Sequence, residues 1–402
     1  MAEFVVLRNL TAAPTAAPFD MAPSPRGLTE REAAAPEPQV EVLDLNHRGV
    51  REVAQDPTVV GIARRMPTTL IAPVEAREVS GVAPAADGPA WGIAAVGADT
   101  SARTGDGVVV AVLDTGIERN HPAFAGVQIT ERDFTGDGNG DRAGHGTHCA
   151  GTIFGRDVGG QRIGVARGVQ RALIGKVLPD NRGGTSDMVF NGIQWAIQEG
   201  ANVISMSLGF DFPGFVRKLE AQGFPIELAT SVALEGYRGN LRMFDALMAM
   251  AAARDGFGGS PVIVAAAGNE SRRNVDPRFE IAASLPAAAE GVISVAALRR
   301  EAGGKFGVAD FSNTFAQIAA PGQGILSAWL NGDTKELNGT SMACPHVAGV
   351  ACLWWEELRQ GRAVLPSARL VVTQMLATAR TNLFTADLDI ADRGAGSVTA
   401  PP

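Results

Sequence analysis

Ser341 lies in the stretch Asn338-Gly339-Thr340-Ser341-Met342-Ala343-Cys344-Pro345-His346-Val347-Ala348-Gly349. The apolar run after the serine reads as a buried helix, in which Pro345 is tolerable only in the first turn, so the hydroxyl stands at a helix N-terminus. There its own N–H and the positive end of the helix dipole face a developing oxyanion. Gly339 lets a substrate approach closely. A hydroxyl is a weak nucleophile until a base takes its proton. His145, in Gly144-His145-Gly146-Thr147-His148-Cys149-Ala150-Gly151, is the natural base, because an imidazole titrates near operating pH. Asp114 follows the apolar run 108–113 and precedes Thr115-Gly116. At a buried strand tip, a carboxylate is placed to orient that imidazole. Singly, an aspartate after a strand is a turn or a cap and a histidine is structural. Together, the three point to acyl transfer through a nucleophilic serine.

These residues need a scaffold, and the chain supplies one. The run 108–113 is continuously apolar and of strand length, which predicts a strand covered on both faces, as in a parallel sheet. Functional crevices of such sheets lie outside the carboxyl ends of the strands, where Asp114 falls. Further strands are predicted at 173–178, 203–208, 262–267 and 291–298, with helices at 188–199 and 243–253. The fold class is therefore α/β, a doubly wound and mainly parallel sheet. The chain of 402 residues leaves room for a second, smaller unit. Predicted strands at 3–7, 40–45, 59–63 and 68–71, with a helix at 49–55, form a small α+β unit within residues 1–88. An Ala/Pro-rich stretch at 12–39 interrupts it, and a linker at 80–88 ends it. Residues 89–402 form the larger domain.

A formal net charge of −8 argues against nucleic acid as a partner. No apolar run approaches the roughly 20 residues that span a bilayer, so no membrane contact is expected. No basic and apolar leader is visible, which favours the cytoplasm. Three cysteines at 149, 344 and 352 make neither a disulfide framework nor a zinc site.

The motifs resemble those of the subtilisin-like serine peptidases, the subtilases. Val112-Leu113-Asp114-Thr115-Gly116-Ile117 is similar to the family's aspartate motif, His145 to the first histidine of its histidine motif, and Ser341 to the serine of Gly339-Thr340-Ser341-Met342-Ala343. The order Asp, His, Ser is the family's own. The resemblance runs from about Trp91 to the C-terminus and implies a serine endopeptidase working through an acyl-enzyme. It implies that Asn269, in Val264-Ala265-Ala266-Ala267-Gly268-Asn269-Glu270, donates its side-chain N–H to the oxyanion. Ser205-Met206-Ser207-Leu208-Gly209 resembles the strand that pairs with an extended peptide, and Arg182-Gly183-Gly184 the opposite rim. Ser207, Leu208 and Gly209, with Ala266, Ala267 and Gly268, would shape the pocket for the residue before the cut bond. No fixed charge lies in those segments, so an apolar residue is expected there.

The partners implied are a protein or peptide substrate and the chain's own N-terminal segment. Residues 40–73 resemble the latter part of a subtilase prodomain, which chaperones folding and inhibits by leaving its tail in the cleft. Self-cleavage would fall between Ile71 and Trp91. No cofactor is needed for the chemistry, although many subtilases hold structural Ca²⁺. Asp133, Asp137, Asn139 and Asp141 gather four oxygen-bearing side chains that suggest a calcium loop, although Arg142 stands where an EF-hand loop needs glycine. Cys149 reads either as a small buried hydrophobe or as a thiol lining the site within reach of mercurials. Between Gly209 and Val262 the chain is longer than the family pattern requires. The insertion at about 210–240 reads as an extra surface helix pair or as a wall over the cleft. A wall that excluded water would admit a transpeptidase or macrocyclase. A non-catalytic regulatory subtilase is the other rival, disfavoured because all four catalytic positions are filled.

Overall fold

The computed structural model describes residues 1–11, 35, 37–75, 89–181, 183–255, 259–360, 366–385 and 388–402. The expected linker at 80–88, most of the Ala/Pro-rich stretch and Arg182 lie outside them. The apolar strands assemble into one large sheet. In spatial order it runs Phe306–Val308, Val292–Arg300, Val262–Ala266, Val203–Met206, Val109–Asp114, Arg171–Lys176, Gln128–Asp133, and Ile318–Pro321 also pairs with Val292–Arg300. Every pairing is parallel except that of the edge strand Phe306–Val308. Alternation within Val109–Asp114 explains the continuous run. Val110 and Val112 face one core, with the helices His145–Phe154 and Thr340–Arg359. Ala111 and Leu113 face the other, with Ser186–Gln198 and Ile226–Ala252. Both faces are covered, so polar residues have no place until the strand ends at Asp114.

The N-terminal strands Ala2–Asn9, Pro38–Leu45 and Val59–Arg64 form a separate antiparallel sheet with Ala2–Asn9 in the middle. One face is apolar, and Val5, Leu7, Ala63 and Met66 share the core of Phe190, Met243 and Phe244. The chain then leaves this sheet and forms Pro67–Leu70, which is discussed with the site.

Two helices differ from expectation. The helix expected at 243–253 begins much earlier and runs 27 residues, Ile226–Ala252. Its start is set by Pro225, which also separates it from Phe212–Ala221. Thr340–Arg359 begins directly at the serine motif, so Pro345 lies beyond the first turn. Pro345 has no N–H for the Ser341 carbonyl four residues back. That carbonyl instead accepts from Ser207 Oγ (3.2 Å) and Cys149 Sγ (3.4 Å). Among the described residues, no helix is long and apolar enough to cross a membrane.

Candidate active site

Strand end and helix start bring Asp114 and His145 together. The His145 Nδ1–H donates to Asp114 Oδ1 over 2.8 Å, and the Thr115 N–H donates to the same oxygen over 2.8 Å. Both side chains are almost fully buried. Glycines make the approach possible. A Cβ on Gly146 would sit 2.2 Å from the Gly116 carbonyl oxygen, and Gly116 itself has a φ of +108°. Asp141 braces the junction. Its Oδ1 accepts from Thr115 Oγ1, Ala143 N and Gly144 N, and its Oδ2 from Thr147 N and Thr147 Oγ1, all at 2.8–3.0 Å.

Asn269 lies at the end of Val262–Ala266, across from the start of Thr340–Arg359. Its Oδ1 accepts from Thr340 N and Thr340 Oγ1, each at 2.9 Å. The amide is thereby turned so that Nδ2 faces the cleft, where it donates to the Ala72 carbonyl over 2.9 Å. Gly339 is needed for this approach, since a Cβ there would lie 3.0 Å from Asn269 Nδ2.

Pro67–Leu70 occupies the cleft as an antiparallel strand between Leu208–Phe210 and Gly183–Thr185. The candidate rims Gly183, Gly184, Leu208 and Gly209 therefore flank a peptide of the chain itself. Thr69 is opposite Gly209, and the Ile71 N–H reaches the Ser207 carbonyl at 3.4 Å. The Ile71 side chain is buried, with its Cγ1 3.5 Å from where a Cβ on Gly209 would lie. Ser284, which no sequence motif singled out, also bounds Gly209, its Oγ 3.3 Å from the same point. Ala266 and Ala267 are buried behind it, and Gly268 holds a φ of +117° with its N–H on Thr340 Oγ1.

Ser341 Oγ donates to the Ile71 carbonyl over 2.7 Å. His145 Nε2 is buried with no hydrogen-bond partner. The hydroxyl proton thus points to the strand in the cleft and not to the imidazole. Beyond Ile71 the chain stays attached, with Val74 N on the Asn338 carbonyl (2.9 Å) and Asn338 Nδ2 on the Val74 carbonyl (3.1 Å). A cavity of about 430 Å³ opens beside His145, lined by Leu70, Pro73, Val74, Trp329 and Leu337.

Two further histidines and a thiol near the site are held neutral. Burial pushes His148 down to about 3 and His346 down to about 4. The His148 ring is fixed by the carbonyls of Ile325 (3.1 Å) and Lys335 (3.0 Å), and His346 Nδ1 pairs with the Met342 carbonyl (2.8 Å). Burial raises the Cys149 thiol well above its ordinary value, so it donates as a neutral S–H.

The acidic loop does not form the expected calcium cage. Asp133 Oδ1 accepts from Thr135 N and Oγ1, and its Oδ2 from Gly136 N and Gly138 N. Asp137 caps the Asp180 N–H (2.8 Å), and Asp141 is the brace described above. The carboxylates of these three do not converge among the described residues, and Asn139 adds no ligand set to them. As placed, these oxygens accept from N–H and O–H groups of the loop and of neighbouring segments, and the side chains do not form a Ca²⁺ cage.

The family model of the subtilases matches residues 105–393. The major intracellular serine protease of Bacillus subtilis strain 168 is 34% identical over 259 residues, which cover 62% of this chain and 68% of the relative. Subtilisin-like protease 6 of Trichophyton equinum is 34% identical over 275 residues, 65% of this chain and 57% of the relative. Subtilisin-like protease 7 of the same fungus is 34% identical over 281 residues, again 57% of its length. The chain thus spans a little over half of the fungal proteins. With the family pattern matching across the whole of the large sheet and its two core helices, the chain belongs to the subtilase family of serine-type endopeptidases.

Proposed function

We propose that the chain hydrolyses peptide bonds with Ser341 as nucleophile, His145 as general base, Asp114 as the group that orients it, and Asn269 with the Ser341 N–H as oxyanion donors. The reading rests foremost on one observation, the peptide Pro67–Leu70 lying between the two rims with the next carbonyl on the Ser341 hydroxyl. A substrate strand laid in the same register presents its carbonyl carbon to Ser341 Oγ. His145 Nε2 takes the hydroxyl proton as the carbon is attacked, and Asp114 keeps Nδ1 protonated and stabilises the imidazolium. Negative charge on the former carbonyl oxygen is met by Asn269 Nδ2, already aimed by Thr340. The proton then passes to the leaving amine, and water releases the acyl group by the same steps. An apolar residue before the cut bond is supported by Ile71, which is buried at that place, and by the uncharged segments 207–209 and 266–268.

In the state described, the N-terminal segment acts as an inhibitor. Ser341 donates to the Ile71 carbonyl while Asn269 holds the carbonyl of Ala72, one residue further on. The nucleophile's own hydroxyl is spent on the Ile71 carbonyl oxygen and the Asn269 donor on the carbonyl after it, so the Ile71–Ala72 bond is engaged without being activated. The insertion gives no support to transpeptidation, because none of its residues lines the cavity at His145.

The test is hydrolysis of a chromogenic peptide with an apolar residue before the cut bond, beside the intact mass of the protein over time. Ser341→Ala should lose several orders of magnitude in rate. Equal activity in the variant, or a strong preference for Lys or Arg at that position, would overturn the assignment.

A further inference from the structure

The peptide in the cleft is gripped beyond Pro67. Counting back from Ile71 as the first residue before the cut bond, Pro67 is the fifth, Met66 the sixth and Arg65 the seventh. The Pro67 carbonyl accepts from the Asp211 N–H over 3.2 Å, so the start of the insertion continues the rim Leu208–Phe210. On the opposite rim the Met66 carbonyl accepts from the Ser186 N–H over 2.9 Å, and the Met66 N–H donates to Ser186 Oγ over 3.2 Å.

Two side chains of this stretch meet surroundings built by the catalytic domain. Met66 is fully buried and lies over Gly236 of the helix Ile226–Ala252. A Cβ on Gly236 would stand 3.3 Å from Met66 Sδ and 3.6 Å from Phe215 Cε1. Gly236 has no positive φ, so the backbone does not demand a glycine there. Glycine is a poor helix former, and its missing side chain leaves room for a long apolar one from the cleft. Arg65 donates Nε to Asp187 Oδ1 over 2.6 Å and Nη2 to Oδ2 over 3.2 Å, with Nη2 also on Thr185 Oγ1 at 3.0 Å. With the peptide in place Asp187 is 9% exposed, and among the described residues its carboxylate pairs with no other cation. Once Arg65 leaves, a secluded carboxylate is left without a partner, which is costly. A peptide that brings a cation to the same place relieves that cost.

We infer that the insertion and the start of the helix Ser186–Gln198 extend the substrate site to seven residues before the cut bond. The sixth position takes a long apolar side chain against Gly236 and Phe215. The seventh takes arginine, whose planar fork suits the two oxygens of Asp187 better than lysine does. The inference rests on the reading of Ile71 as the residue before the cut bond. Binding energy from remote contacts is available only to peptides that reach them, so short peptides are poor substrates.

The experiment uses the full chain after it has processed itself, with internally quenched peptides. All carry the residues of 67–71 before one common tail without proline, and differ only in what precedes them. Ratios of kcat/KM are compared within one preparation, so the share of clefts still filled cancels. Arginine at the seventh position should exceed glutamate about tenfold, the scale of a secluded charge pair. Methionine at the sixth should exceed serine about tenfold. Asp187→Lys should reverse the first ratio, so that the glutamate peptide is cut faster, a gain that misfolding does not produce. Gly236→Leu should flatten the second ratio while the first stays. Equal rates at either position in the parent, or an Asp187→Lys enzyme that still prefers arginine, overturns the inference and leaves the peptidase reading intact. If no peptide is cut, including the one that begins at the fifth position, the peptidase reading fails and this inference falls with it.

Discussion

At the scale of single residues, the site depends on groups that no motif announces as chemical. Pro345 frees the Ser341 carbonyl, and Cys149 and Ser207 accept the task of satisfying it. A buried carbonyl without a donor costs about 1–3 kcal/mol. Cys149→Ser should therefore keep most activity, because a hydroxyl still donates, whereas Cys149→Ala should lower the turnover rate severalfold. A mercurial should inactivate the parent and spare the serine variant. Equal inactivation of both would move the effect to Cys344, also buried nearby. Asp141 carries a heavier load, since five donors converge on its carboxylate and tie the Asp114 tip to the His145 helix. Asp141→Ala should cost roughly 2–3 kcal/mol of stability, the range for breaking a buried polar network, and at least tenfold in kcat/KM. Asp137→Ala, with one exposed partner, should change little in either assay. Added Ca²⁺ should leave the melting temperature of the Ser341→Ala chain, with Asp141 intact, unmoved; a rise that Asp141→Ala abolishes would restore the calcium reading. Sequence alone could not separate these outcomes, because an acidic loop looks the same whether a cation or its own N–H groups fill the carboxylates.

At the scale of elements, the legible parts were those in which local pattern and tertiary context agree. The run 108–113 announces a doubly covered strand, and Asp114 is the first polar residue where cover ends. The long helix was not legible past its C-terminal half. Gly236 and Gly239 weaken it locally, and only the seating of Ala63 and Met66 explains them. The strand in the cleft is Pro67–Leu70, close to the expected 68–71, and its four residues with Ile71 decide the state of the site. One of these residues is imperfect for its place. Thr68 is 2% exposed, and its Oγ1 has no hydrogen-bond partner. Thr68→Val keeps the shape and removes the orphaned hydroxyl, so the strand should bind the rims more tightly. In the Ser341→Ala background, where self-digestion does not interfere, the melting temperature should rise by about 2–4 °C for each kcal/mol gained. A fall would mean that Thr68 finds a partner in solution.

At the scale of the whole molecule, two of the buried histidines, His148 and His346, set how the fold responds to mild acid. His148 and His346 are pushed down to about 3 and about 4, chiefly by burial, whereas an unfolded histidine titrates near 6.5. Above pH 6.5 neither state binds these protons, and the full stability is present. As pH falls below 6.5 the unfolded chain takes up two protons that the folded one refuses, so stability is lost progressively toward pH 4. By pH 5 the loss is about 2 kcal/mol for each histidine. Asp133 and Asp180, whose carboxyls are held below their ordinary value, act in the same direction only at lower pH, near and below the ordinary carboxylate range. The interval from pH 6.5 to 5 therefore isolates the histidines. His346 packs against Gly92 beneath the serine helix, and its Nδ1 meets the Met342 carbonyl one residue from the nucleophile. Acid should thus loosen the seat of Ser341 along with the fold. In the Ser341→Ala chain, denaturant unfolding at successive pH values should give a slope in this interval that His346→Gln cuts by about half, whatever the variant's stability at pH 7. An unchanged slope would show that His346 takes up its proton in the folded state, and the burial that seats the serine helix would then be looser than its packing against Gly92 implies.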